Sequence, residues 1–233
     1  MSFYIGLSFL SNNGGTKRVR QGLLSAEGRR VLSCLEERPL KENEIARDDR
    51  GRPFIPGNIG DFSISHSGNM AAVSLVKGQA LRTGCDIQIV RPGTSFREIV
   101  RLFFIAPEGE YIFSSDDKKT EENRFFEIWA LKECFLKLRG LSVFDMALVP
   151  PFINSDDSGH GQFSFGGAVF SPLSYYLYEL GNSGERYFLA AAIEGTTQVE
   201  PAIHWFSQPF LPCRSIAEIK ATLSPDNTVS PNM

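Results

Sequence analysis

The sequence predicts an α+β fold of two pseudo-symmetric halves, each a long helix packed on a small, mostly antiparallel sheet. Two observations carry this. Each half holds one dominant helical stretch, Ser25 to Glu36 and Thr120 to Arg139, and about three strand-like runs. Ala71-Ala72-Val73 in the first half and Ala190-Ala191-Ala192-Ile193 in the second occupy similar places, which suggests a pseudo-repeat joined near residue 100. The boundaries that follow are an N-terminal half over 1–100, a C-terminal half over 101–195 and an irregular tail over 196–233.

Phe3 to Leu10 is apolar, and the first basic residue is Lys17, so this run predicts a buried strand rather than a secretory leader. Ser25 to Glu36 contains the good helix formers Ala26, Arg29, Arg30 and Leu32. Arg47 to Gly57 is a turn region rich in charge, Gly and Pro. Strands are predicted over Phe62–Ser65, Ala71–Lys77 and Leu81–Ile89, with turns at Asn69 and at Gly78-Gln79. Arg91-Pro92-Gly93 breaks the chain. Ser95 with Glu98 predicts a capping box that opens a helix to Phe103, and Pro107 opens a second, short helix. Thr120 to Arg139 is acidic in its first turn, basic in its last, and stopped by Gly140, a polarity that suits the helix dipole. Strands follow over Gly161–Phe170, Tyr175–Leu180 and Tyr187–Ile193. Pro201, Pro209, Pro212 and Pro225 predict an irregular tail with one short helix over Ile216–Leu223 and a disordered end.

The 233 residues carry a formal charge of -3, which argues against a general nucleic-acid binder, so any phosphate affinity must come from a local basic pocket. No apolar run is long enough to span a bilayer. The four cysteines, Cys34, Cys85, Cys134 and Cys213, lack metal-ligand spacing and predict small buried thiols in a reduced, cytoplasmic protein.

Four segments could carry chemistry. In Trp129-Ala130-Leu131-Lys132-Glu133-Cys134-Phe135-Leu136-Lys137, the residues Ile128, Leu131, Phe135 and Leu138 form a helical core stripe, while Glu133 and Lys137 lie one turn apart on another face. That carboxylate and amine could hold a metal and a phosphate together; on spacing alone they are an ordinary surface pair. Asp86 sits in a mostly buried strand, Gly84-Cys85-Asp86-Ile87-Gln88, where a carboxylate needs a cation or strong donors. Magnesium would satisfy it, and so would a structural cap on a neighbouring loop. Phe62-Ser63-Ile64-Ser65-His66-Ser67-Gly68 alternates like a strand and ends in a turn whose hydroxyls, N–H groups and imidazole suit an anion, or only cap their own backbone. A Ser–His–Asp hydrolase is disfavoured because no G-x-S-x-G elbow is present. Gly51-Arg52-Pro53 could present Arg52 to a phosphate.

Taken in order, G-R-P, S-I-S-H-S-G, G-C-D-I and W-A-L-K-E-C-F-L-K resemble the 4′-phosphopantetheinyl transferases, in particular the longer, pseudo-dimeric subclass. Arg101 to Tyr111 also resembles the family's connecting segment, and the resemblance covers roughly residues 50 to 140. It implies an active site at the interface of the halves, and transfer of the phosphopantetheine arm of coenzyme A to a serine of an acyl or peptidyl carrier protein, releasing 3′,5′-ADP. It implies that Asp86 and Glu133 bind Mg²⁺ (Mn²⁺ being possible), that Glu133 accepts the serine proton, and that Lys137 neutralises the diphosphate. Arg52, Ser65, His66, Lys137 and Lys132 would contact coenzyme A. Among Lys17, Arg18, Arg20 and Arg29, the resemblance does not select those that join them. Many relatives carry an acid where this chain has Gln88, which would ligate the metal through oxygen, touch a metal-bound water, or leave that vertex to water. The competing readings are a coenzyme A-binding pseudoenzyme and an unrelated interaction protein. Phe103, Phe104, Tyr111, Ile112 and Phe113 are divided between core and a carrier-docking surface, with Arg97 and Arg101 as its rim. The resemblance implies a monomer with no membrane or nucleic-acid partner.

Overall fold

A computed structural model describes residues 1–222 apart from 12–15, 59, 92, 94, 155–162, 166–171, 182–183, 197–198 and 208–212. Two four-stranded sheets stack face to face. The first is built from β1 (Ser2–Phe9), β4 (Gly60–Ser67), β5 (Met70–Lys77) and β11 (Pro201–Trp205), in the order β11-β1-β5-β4. The second holds β6 (Arg82–Ile89), β9 (Pro172–Gly181), β10 (Arg186–Glu194) and β12 (Cys213–Thr222), in the order β12-β9-β10-β6. All neighbours are antiparallel except β1 and β11. Short pairs form between β2 (Ala46–Arg47) and β3 (Pro53–Phe54), and between β7 (Phe152–Asn154) and β8 (Phe163–Phe165).

Period-two alternation decides which side chains face which layer. Phe3, Ile5, Leu7, Met70, Ala72 and Val76 of the first sheet meet Cys85, Ile87, Tyr176, Tyr178, Leu189 and Ala191 of the second in the central core. The intervening residues face outward onto helices. Val73 and Leu75 meet Val31, Leu32 and Leu35 of α1 (Lys17–Leu35). Ala190, Ala192, Tyr175 and Leu177 meet Ile128, Leu131, Phe135 and Leu138 of α4 (Lys118–Arg139), the stripe expected from spacing. Beside α4 run α2 (Arg97–Phe103) and α3 (Ala106–Phe113).

The caps of α4 explain its length. Asp117 accepts from the amides of Lys119 and Thr120, and Gly140 stops the helix at φ 65°. Gly84 brings β6 against it. A Cβ there would lie 2.4 Å from the Cys134 carbonyl oxygen and 3.0 Å from the Leu138 nitrogen. The outward face of β6, carrying Gly84, Asp86 and Gln88, is thereby held directly under the Glu133–Lys137 turn.

Several expectations are corrected. The helix α1 starts at Lys17, capped by Thr16, rather than at Ser25, because the charged turn Lys17 to Arg20 extends it through solvent. The Ser95–Glu98 box does not form: Phe96 takes the cap position of α2 and its ring stacks on Phe125 at 4.8 Å, so core packing sets the start. Residues 213–222 form a strand, not a helix over Ile216–Leu223, because β9 offers an unpaired outer edge that β12 completes. Pro201 is tolerated because β11 is itself an edge strand. Cys34 is exposed on α1, whereas Cys85 and Cys134 are buried as free thiols. Of the strand expected over Gly161–Phe170, residues 163–165 form β8 and the rest lie outside the described residues, as does the chain end.

Candidate active site

The edges of the two sheets meet at a seam stitched by side chains. Polar residues at alternate positions of β4 replace a backbone ladder: Asp61 Oδ2 accepts from Thr83 N (2.9 Å), Ser65 Oγ from Ile87 N (3.2 Å) and Ser67 Oγ from Ile89 N (3.1 Å). The even residues of β6 therefore sit between β4 and α4.

There Asp86, 2% exposed, gathers a cluster. Its Oδ1 accepts from Lys137 Nζ (2.6 Å) and Ser65 Oγ (2.8 Å), and its Oδ2 accepts from Gln88 Nε2 (2.7 Å). Lys137 Nζ also donates to Ser65 Oγ at 2.8 Å. Burial disfavours the Lys137 charge, but the charge and hydrogen bond of Asp86, with Cys85 and Glu133 nearby, together outweigh it and hold the ammonium above its usual pKa. Glu133, one turn earlier, is half-buried and makes no hydrogen bond among the described residues. Burial, and then the Asp86 charge, push its carboxyl up to about 7, with Lys137 offsetting part of the rise.

Lys137 connects this cluster to a cavity of about 590 Å³, whose lining includes Arg29, Arg47, Arg50, Arg52 and His66. His66 Nε2 lies 3.3 Å from Ser25 Oγ of α1. Burial, with the nearby Lys137 charge second, holds its imidazole below the usual pKa. The cavity is thus basic although the chain is acidic, the local pocket that the net charge demanded.

The residues singled out by sequence fall into three groups. Asp86, Glu133, Lys137, Ser65 and Gln88 converge, and His66 reaches the cavity. Arg52 lines the cavity wall, but its guanidinium donates to Asp61, the Lys137 carbonyl and Thr83 O (2.8 Å). Lys132 is fully buried on another face of α4, where Nζ pairs with Glu108 Oε2 at 2.9 Å and lies outside the cavity lining. Burial lowers its pKa, and Glu108 offsets part of that. Of the four N-terminal basic candidates, Arg29 lines the cavity, while Arg20 lines a smaller one near Leu10 and Asn69. Arg47 and Arg50 were missed; the only signal was their nearness to G-R-P. Of the aromatic connecting segment, Phe104 and Ile112 are core, and Phe103, Tyr111 and Phe113 are partly buried.

Two carboxylates and one amide suit a hard divalent cation that keeps its remaining sites for water or phosphate oxygens, as Mg²⁺ does. Among the described residues no cluster of three His, Cys, Asp or Glu side chains forms. Glu133 fits such a cation: an unpartnered carboxylate beside a second one is costly unless positive charge joins them. Gln88 turns its nitrogen toward Asp86, so ligation by Gln88 would use its amide oxygen.

Residues 82–192, which include Asp86, Gln88, Glu133 and Lys137, match the 4′-phosphopantetheinyl transferase superfamily. The match spans just under half of the chain. Relatives share its length unevenly. The chain is 28% identical over 112 residues to 4′-phosphopantetheinyl transferase HetI of Nostoc sp., covering 44% of this chain and 46% of the relative. It is 29% identical over 121 residues to 4′-phosphopantetheinyl transferase AcpT of Salmonella typhi, covering 52% and 60%. It is 31% identical over 120 residues to the L-aminoadipate-semialdehyde dehydrogenase-phosphopantetheinyl transferase of Mus musculus, covering 46% and 38%. The chain spans about half the length of the curated relatives it matches. No helix among the described residues is long and apolar enough to cross a membrane.

Proposed function

We propose that this chain moves the 4′-phosphopantetheine arm of coenzyme A to a serine of an acyl or peptidyl carrier protein, releasing 3′,5′-ADP. The observation that carries the reading is that Lys137, paired with Asp86 and one turn from Glu133, lines the wall of a basic cavity. The cavity takes the phosphates of coenzyme A against Arg29, Arg47, Arg50 and His66. Lys137 is the bridging cation, able to leave Asp86 for a diphosphate oxygen and to offset charge on the leaving side. Glu133, held near 7, accepts the serine hydroxyl proton as the oxygen attacks the β-phosphate, directly or through a water. Asp86 and Glu133, with Gln88 beside them, would hold Mg²⁺, which when bound supplies Lewis-acid polarisation of the diphosphate. Ser65 orients Asp86 through its donated hydrogen bond.

The same reading takes the two helix-on-sheet layers as the pseudo-symmetric halves of one monomer, with the site in the cleft between them, and places the protein in the cytoplasm. Boundaries near 100 and 195 then mark chain segments rather than layers, since β6 joins the second sheet and β11 the first. The second reading, coenzyme A binding without transfer, draws on the neutral Gln88. Incubating the protein with an apo acyl carrier protein, coenzyme A and Mg²⁺ separates the two. A 4′-phosphopantetheine adduct on the carrier serine, found by mass spectrometry, supports transfer. Calorimetric coenzyme A binding with no adduct on any of several carriers supports the second reading.

A further inference from the structure

Arg52 lies in the cavity wall, yet its side chain is only 7% exposed and its donors point away into protein. Nη1 donates to the Lys137 carbonyl. Nη2 donates to Asp61 Oδ2, to Thr83 O at 2.8 Å and to Phe62 O at 3.4 Å. Asp61 is fixed in turn by Thr83 N, and the Arg52 amide by Asp48 Oδ1 at 2.9 Å. The acceptors come from β4, β6 and the last turn of α4. Those elements carry Ser65, Asp86 and Lys137 respectively. The Lys137 carbonyl is one of the terminal helix carbonyls without a full intrahelical partner, and a cation there also complements the helix dipole. Arg47 and Arg50 line the same cavity with exposed side chains, so positive charge for a phosphate does not depend on Arg52.

We propose that Arg52, locked by Asp61, is a positioning residue rather than a phosphate ligand: it sets the last turn of α4 on the β4–β6 seam so that Lys137 Nζ reaches Asp86. The clamp is independent of the reaction, while its catalytic consequence rests on the transferase reading above. The forked guanidinium is what serves three elements at once; a lysine would supply charge without the fork.

Asp61 discriminates, because it lies outside the cavity lining. Arg52→Gln, Arg52→Lys and Asp61→Asn should each lower kcat roughly 10–100-fold, the scale of a misplaced reacting group. Calorimetric Kd for coenzyme A should stay within about twofold of wild type, and the Arg52→Gln/Asp61→Asn double variant should be no worse than the weaker single one, as for residues acting as a unit. A coenzyme A Kd weakened tenfold or more in Arg52→Gln, retained in Arg52→Lys and untouched in Asp61→Asn, would overturn the proposal. If Arg52→Gln fails to fold, Asp61→Asn carries the same test alone. If the wild type transfers nothing, the transferase reading falls and the clamp is read by hydrogen exchange. The amides of Gly140 and Leu141, bonded to the Lys137 and Leu136 carbonyls, should exchange faster in both variants; unchanged rates would sink it.

Discussion

Glu133 is the side chain whose charge depends most on what surrounds it. Its carboxyl binds a proton more tightly in the folded protein, near 7, than at its ordinary value of 4.5. Folding therefore takes up a proton between these values. The contribution to stability is full below about 4.5, declines as pH rises, and is lost above about 7. In chelator, the thermal midpoint of wild type relative to Glu133→Gln should fall between pH 5 and 8, by about 2–4 °C per kcal/mol for a chain of this size. A pH-independent difference would contradict the burial argument. Gln88 supplies the complementary experiment. Gln88→Glu replaces a donor to Asp86 with a third carboxylate, so it should raise Mn²⁺ affinity in calorimetry by about tenfold, roughly 1.4 kcal/mol. Unchanged affinity would place Gln88 outside the coordination sphere. At this scale the buried strand carboxylate asked for a partner, which Asp86 finds in Lys137, whereas Glu133 and Lys137 on spacing alone read as an ordinary surface pair and only the resemblance set the three together. Lys132 was not: it neighbours Glu133 in sequence but points about 100° around the helix, toward Glu108. Arg52 was legible as a presented cation but not as a clamp, because Asp61 and Thr83 reach it only through the tertiary seam.

Among elements, β6 and α4 carry the site, and their separation is set by Gly84. Gly84→Ala would drive a methyl group into the backbone of Cys134 and Leu138, which cannot rotate away. The expected cost is about 1–3 kcal/mol, with Asp86 withdrawn from Lys137 and activity reduced further than stability. Denaturant unfolding and transfer assays on the same variant check both parts; wild-type values would mean that α4 adjusts freely. The end of the helix α4 was readable because Gly140 is a local signal, whereas its start lies at Lys118 rather than Thr120, since Asp117 caps it from what read as a charged loop. The capping box at Ser95 was misleading, since packing of Phe96 on Phe125 and Phe113 outranks one side-chain cap.

Across the whole molecule, the two sheets are joined by an apolar core on their inner faces and by the Asp61, Ser65 and Ser67 seam at their edges. The tail completes both sheets: β11 adds to β1 and β12 to β9. Truncation after Ser207 should leave the apolar β9 with an open edge, and size-exclusion chromatography should show association or precipitation. A monodisperse, fully stable truncated protein would contradict that role. The α+β class was readable from the count of helices and strands. The exchange of strands between layers was not, because edge pairing depends on which neighbours lack a partner, a property of the assembled sheet rather than of any segment.

The most direct test of the account is release of 3′,5′-ADP in step with modification of an apo carrier protein, compared between wild type and Asp86→Ala, with folding of each checked by circular dichroism. Stoichiometric release is expected for wild type with Mg²⁺ and none above background for the variant. A folded Asp86→Ala protein that transfers at the wild-type rate would contradict it.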